Sequence, residues 1–205
     1  METIHLKLNK KLIQVLRSFF KSDQFELLDI RKDCYTRKYY RVSYNSKSYF
    51  LVEYFKENDS AIKQFKKISF FLASAGLIVP KIYFLDYKKA VMIIEDFGNI
   101  RAKDYILSVT DNEVEAFYKT SIDVLMHLQS VKLPKFLETS TNELLLNQLD
   151  LFADYYLPLV NKELIPSDSL ASFKDIWQKL LSIRPLLDYT IVHRDYHSEN
   201  IMILD

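Results

Sequence analysis

The stretch His193-Arg194-Asp195-Tyr196-His197-Ser198-Glu199-Asn200 sets reactive side chains at a spacing that chemistry can use. A carboxylate followed five positions later by a carboxamide suits phosphoryl transfer from a magnesium nucleotide to a hydroxyl. Asp195 would sit beside the hydroxyl, orient it and accept its proton as the phosphorus–oxygen bond forms. Asn200 would reach back to the magnesium ion on the phosphates. The short loop between them lets both side chains face one cleft. A surface turn that happens to contain His, Asp and Asn satisfies the same fixed positions, so the elements around the loop must decide.

Those elements are legible from pattern. Leu186, Leu187, Ile191 and Val192 form an apolar approach to the loop. Ile201-Met202-Ile203-Leu204 form an apolar exit that reads as a buried strand. At the other end, residues 5–20 read as an amphipathic helix, with Leu8, Leu12, Val15, Leu16, Phe19 and Phe20 on one side. Three aromatic, β-branched runs follow, at 25–30, 39–44 and 49–54. Asn45 to Lys47 turns the second into the third. The loop Arg31 to Thr36 contains no glycine. Arg31, Lys32 and Arg37 make it either a cover for phosphates or a solvated basic loop. Asn58 or Asp59 can cap a helix to about Ala75, ended by Gly76. Val79–Leu85 and Ala90–Ile94 read as the fourth and fifth strands. Thr110–Glu113 and Ser140–Glu143 are capping boxes for helices to about 131 and 160, and Ser167 or Asp168 caps a third to about 183. His127 falls among apolar helix neighbours and reads as structural.

Composition narrows the function classes. The chain has 205 residues, 49% hydrophobic and 14% aromatic, enough to fill a core. A net charge of +1 gives no footprint for nucleic acid or an anionic membrane. The longest apolar run, 68–79, is too short to span a bilayer. Cys34 is the single cysteine, so no internal disulfide or Cys/His metal site is encoded. A cytoplasmic location is the expectation.

The order strand, strand, strand, helix, strand, strand, then helices, then the loop, resembles the aminoglycoside phosphotransferase/choline kinase superfamily. Within it, the chain is similar to bacterial sugar kinases that phosphorylate N-acetylmuramate and N-acetylglucosamine at the anomeric hydroxyl. Ser74–Pro80, Met92–Gly98, Glu143–Leu157 and Val192–Met202 carry the resemblance. It implies an α+β, protein-kinase-like two-lobe fold: an N-lobe over 1–97, with a five-stranded antiparallel sheet plus helix, and an incomplete, largely helical C-lobe over 98–205. ATP and Mg2+ are the implied cofactors, and a sugar or other alcohol is the implied substrate. Asp195 is the implied base, and Asn200 a magnesium ligand. His197 falls where a cationic or donor group approaches the phosphoryl group. His193 braces the loop, and Arg194 is structural or charge-balancing. Glu95, Asp96 and Phe97 offer backbone contacts to adenine. Asp96-Phe97-Gly98 precedes the His-Arg-Asp loop, so it is not the metal-binding Asp-Phe-Gly motif, which must follow that loop.

Two departures bear on activity. The third strand, Phe50 to Phe55, has no lysine; Lys56 is nearest, and no acidic residue follows inside the next helix. The sugar-kinase branch often lacks this lysine too. A second metal-binding Asp, about a dozen residues past Asn200 in the family, is not matched, because Asp205 is too close. The expectation is a chain inactive or nearly so by itself, with a separate carboxy-terminal polypeptide as one source of the missing Asp. A degenerate kinase fold that binds nucleotide or a partner without chemistry is the competing reading. Kinases of aminoglycosides, choline or other alcohols use the same loop.

Overall fold

The computed structural model describes residues 9–33, 37–55, 59–160, 166–183 and 189–204. Leu8, Cys34, Lys56, Asn58, Pro185, Leu186, Leu187 and Asp205 lie outside them, as do the side chains of Arg31 and Lys32.

Alternating apolar residues build one sheet from β1 (Glu26–Asp33), β2 (Arg37–Tyr44), β3 (Lys47–Tyr54), β4 (Ile82–Asp86) and β5 (Val91–Glu95). Its order is β1-β2-β3-β5-β4, with every neighbouring pair antiparallel. The period of two divides the strand residues between two cores. Tyr40, Val42, Leu51, Val91 and Ile93 face α1 (Lys10–Phe20), which buries Leu12, Val15, Leu16 and Phe20 at helical spacing. Tyr39, Phe50, Val52, Tyr54, Met92 and Ile94 face α2 (Asp59–Ser74), chiefly Ile62 and Phe65. Each fully buried aliphatic side chain contributes about 1.5–3 kcal/mol.

The punctuation has local causes. Asn9 caps α1 by accepting from the Leu12 amide. Asn45 and Ser46 both take positive φ, 49° and 60°, so β2 and β3 join in a two-residue turn whose twist suits a hairpin. At the end of α2 the Leu77 amide bonds to Leu72 and the Gly76 amide to Ala73. Gly76 sits at φ +81°, completing a Schellman cap. A Cβ there would meet nothing nearer than the His127 ring at 3.9 Å, so a side chain costs through the backbone alone. Gly76→Ala should therefore lower stability by about 1–2 kcal/mol, read as a lower melting temperature. The fourth strand starts at Ile82 rather than Val79, because Pro80 has no amide for the ladder.

The helical elements are α3 (Ala102–Tyr105), α4 (Asp111–Ser130), α5 (Asn142–Leu151), a π-helical turn (Phe152–Tyr156), α6 (Leu157–Val160) and α7 (Ser167–Ser182). One arm of the first capping box forms: the Glu113 carboxylate accepts from the Thr110 amide at 2.9 Å, and the Thr110 hydroxyl donates to the same carboxylate at 2.6 Å. The second is displaced by one residue, since Thr141, not Ser140, accepts from the Leu144 amide. Pro166 precedes α7 without a side-chain cap, so neither Ser167 nor Asp168 has the capping role. No helix of the described residues is long and apolar enough to cross a membrane.

The chain forms two compact units, 1–128 with 193–205, and 129–192. In the second, a Lys174–Asp150 ion pair of 2.7 Å joins α7 to α5, and a ring contact of Phe173 with Phe152 joins α7 to the π-helical turn. The first holds the sheet, α1, α2, α3, most of α4 and the His193–Leu204 segment.

Candidate active site

The α2-facing side of the sheet is not fully covered. Beside α2 it opens into a pocket of about 380 Å³ lined by Tyr39, Phe50, Phe65, Leu72, Ile94, Phe97 and Met202. The walls are nearly all apolar and the volume suits a flat heteroaromatic ring. β3 turns Phe50, Val52 and Tyr54 to this side, so no lysine of β3 stands on the cleft face; Lys47, at its start, has the opposite parity. The acidic residue of β3, Glu53, faces α1 instead. There it pairs with Lys11 at 2.8 Å and accepts from the Tyr40 hydroxyl at 2.9 Å. Burial, with this carboxylate adding to it, pushes the Tyr40 hydroxyl far above its ordinary value.

One rim of the pocket is the segment after β5. Glu95 spends its amide on the Lys81 carbonyl at 2.8 Å, and its carboxylate accepts from the Lys81 amide at 3.1 Å. Phe97 and Gly98 line the pocket, with Gly98 at φ +88°. Asp96 turns away. Its carboxylate, 1% exposed, is gripped by Arg41 of β2: Nη2 donates to Oδ1 at 2.7 Å and Nε stands 2.6 Å from Oδ2, off the hydrogen-bond line. The same guanidinium donates to the Gly98 carbonyl at 2.6 Å and to Asn99 Oδ1. It lies 4.9 Å from the Phe50 ring centroid. Arg41 escaped the sequence reading, whose only signal was a cation inside an apolar strand. Asp96 itself offers a ligand no side-chain group, because its charge is already matched.

The other rim is the segment 193–204, fastened by backbone. The Ala102 amide bonds to Ile201, Lys103 to Ser198, and the Ile203 amide to Ile100, at 2.9–3.1 Å. Lys103 adds an ion pair to Glu199 at 2.9 Å and holds that carboxyl below its usual range. The expected strand over Ile201–Leu204 is reduced to a single bridge, Met202 with Arg101, and Leu204 is 42% exposed. The pairing stops there because the chain facing it turns into α3 after Arg101.

Within the segment, Asp195, His197 and Asn200 meet. Asn200 Nδ2 donates to Asp195 Oδ2 at 2.7 Å. His197 Nε2 lies 3.1 Å from Asp195 Oδ1, and its Nδ1 accepts from the Glu199 amide at 3.3 Å. That acceptor role fixes the neutral tautomer with the proton on Nε2, donated to Asp195. The 3.1 Å approach of Asn200 Nδ2 to Nε2 is then a contact of two donors, not a bond. His193 packs edge-on against Tyr196, whose hydroxyl donates to the Ser121 carbonyl and anchors the loop on α4. Arg194 takes φ +70°, an uncommon conformation for a residue with a side chain, just before Asp195. Asp195 stays 71% exposed, open to a reactant.

Magnesium takes oxygen ligands and commonly keeps water and nucleotide phosphates among them. Asn200 fits that donor set: its amino group is committed to Asp195, which leaves Oδ1 for a cation. Among the described residues no three His, Cys, Asp or Glu side chains gather to hold a metal, so the fit is one neutral oxygen.

A five-stranded antiparallel sheet, a helix across one face, an apolar cleft below it and an Asp–Asn loop on the cleft's far rim define a protein-kinase-like phosphotransferase fold. Residues 26–205 match the phosphotransferase enzyme family, APH, and the chain belongs to that family. It is 25% identical over 178 residues to an N-acetylmuramate/N-acetylglucosamine kinase of Pseudomonas aeruginosa, covering 87% of this chain and 52% of that protein. The enzyme of the same description from Pseudomonas putida is 25% identical over 143 residues, covering 68% and 40%. The chain thus spans about half the length, or less, of these curated relatives. Among solved structures, the ADP-bound aminoglycoside phosphotransferase APH(2'')-Ib superposes with a TM-score of 0.69 at 16% identity, over 97% of this chain and 67% of that one. The streptomycin–ATP–APH(2'')-IIa ternary complex gives 0.66 at 14%, over 98% and 68%. At these identities the structural likeness establishes the fold.

Proposed function

We propose that the chain forms the nucleotide cleft and catalytic loop of an ATP-dependent kinase for a small-molecule hydroxyl, with an amino sugar such as N-acetylmuramate as the favoured acceptor. The observation that carries this is the Asp195–Asn200 contact, reached by the two residues from Asn200 to Met202 on the pocket wall. Adenine would enter between Phe50 and Met202, addressed by the Glu95 carbonyl and the Phe97 amide. Asp195 would accept the acceptor's hydroxyl proton as the oxygen bonds to the γ-phosphorus and the bond to ADP breaks. The His197 Nε2 proton would hold the Asp195 carboxylate in place, a positioning role rather than a contact to phosphate. Bound magnesium would neutralise phosphate charge, with Asn200 Oδ1 as its protein ligand.

Among the described residues the protein offers the metal one neutral oxygen, from which we expect weak metal retention and slow turnover. That also gives the second reading, a nucleotide-binding fold without chemistry, its support. None of the relatives found supports a separate carboxy-terminal polypeptide. Titration calorimetry with adenosine and ATP, with and without magnesium, should show binding. ADP release should then be compared with N-acetylmuramate, N-acetylglucosamine, choline and an aminoglycoside as acceptors. ATP binding with slow release stimulated by the amino sugars is the expected result. Binding without release under any acceptor selects the second reading, and no adenosine binding removes both.

A further inference from the structure

We propose that Arg37 is the side chain that binds the β- and γ-phosphates of the nucleotide, a role for which the cleft face of β3 supplies no cation; the proposal rests on the nucleotide reading of the cleft. Strand alternation places Arg37, Tyr39 and Arg41 of β2 on one face. Tyr39 lines the pocket. Arg41 lies at the hinge end, bonded to Asp96 and Gly98. Arg37 therefore marks the opposite end, about 6.5 Å of strand beyond Tyr39. A nucleotide with its base against residues 95–97 must run its phosphates away from them, past Tyr39 and toward Arg37.

The guanidinium is already held on that face. It stands 5.8 Å from the ring centroids of both Tyr39 and Tyr54, and Tyr54 is its cross-strand partner in the ladder. Burial pushes the Tyr54 hydroxyl up, and the adjacent Arg37 charge draws it part of the way back. Two aromatic supports pre-order a long side chain, lowering the entropy cost of engaging a ligand. A planar guanidinium matches phosphate oxygens in paired hydrogen bonds, which an ammonium at the same site does less well. Arg41 has the same chemistry, but it stands at the hinge end, bonded to Asp96, Gly98 and Asn99.

The test is calorimetry of the full chain with adenosine, ADP and ATP, repeated for Arg37→Met, Arg37→Gln and Arg37→Lys. Losing a charged hydrogen-bonded contact should weaken ATP about 10- to 100-fold, while adenosine affinity stays within about twofold. Lysine should recover part of the loss. Unchanged adenosine binding also reports that a variant has folded, and Gln serves if Met disturbs the sheet. An ATP-to-adenosine affinity ratio equal to the wild type in Met and Gln would overturn the role of Arg37 while leaving the nucleotide reading intact. Wild-type chain that binds neither ligand would overturn that reading, and this proposal with it.

Discussion

Replacing Arg41 with methionine should lower the urea midpoint of unfolding by about 2 M. The substitution strands the Asp96 carboxylate, 1% exposed, without its counter-charge. Breaking one side of a buried ion pair costs about 3–5 kcal/mol, and small domains lose roughly 2 kcal/mol per molar urea. Asp96→Asn in the same chain should restore much of that, because removing both charges leaves no buried ion. The Gly98 carbonyl and Asn99 would still lack their donor, so adenosine affinity should stay reduced when stability returns. A midpoint near wild type for the single variant would show that Asp96 is hydrated, and that the grip on residues 96–99 is unimportant.

Asp195→Asn should reduce acceptor-dependent ADP release by about 10²- to 10⁴-fold, the usual share of a general base. The carboxamide keeps the shape but cannot take a proton. Adenosine and ATP affinity should stay within about twofold, since Asp195 does not line the pocket. Because turnover is expected to be slow, a single-turnover measurement with labelled ATP gives the sensitivity required. His197→Asn should cost less, and mainly in rate, if the ring only steadies Asp195 through Nε2. Wild-type release by Asp195→Asn would assign the activity to a contaminant or another base.

Local pattern made most of the sheet readable. Tyr39 to Tyr44 and Tyr49 to Tyr54 alternate between two cores, and both faces are apolar enough to leave no other register. Gly76 and the Thr110–Glu113 box announced helix ends because their bonds span only a few residues. The Asp195–Asn200 pair was legible for the same reason. What escaped depends on distance in sequence. Arg41 and Asp96 stand 55 positions apart, and nothing near either names the other, so Asp96 drew notice as a backbone contact to adenine and as part of an Asp-Phe-Gly lookalike, not as half of an ion pair. The Phe152–Tyr156 π turn widens the backbone bond without changing composition, so the segment from 142 to 160 reads as one uninterrupted helix. Ile201–Leu204 was apolar enough for a strand, but a strand also needs a neighbour of equal length, and here α3 begins too soon.

The two rims of the cleft are clamped from opposite directions. Arg41 ties Asp96, Gly98 and Asn99 to the sheet, and backbone bonds tie Ile100, Ala102 and Lys103 to residues 198–203. Between these clamps lies the Asn99–Ile100 step, and His127 of α4 adds a further tie, its Nε2 2.6 Å from the Ala75 carbonyl past the end of α2. Each rim is thus held by its own set of bonds, so that loosening Arg41 frees residues 96–99 while the segment 198–203 keeps its backbone ties.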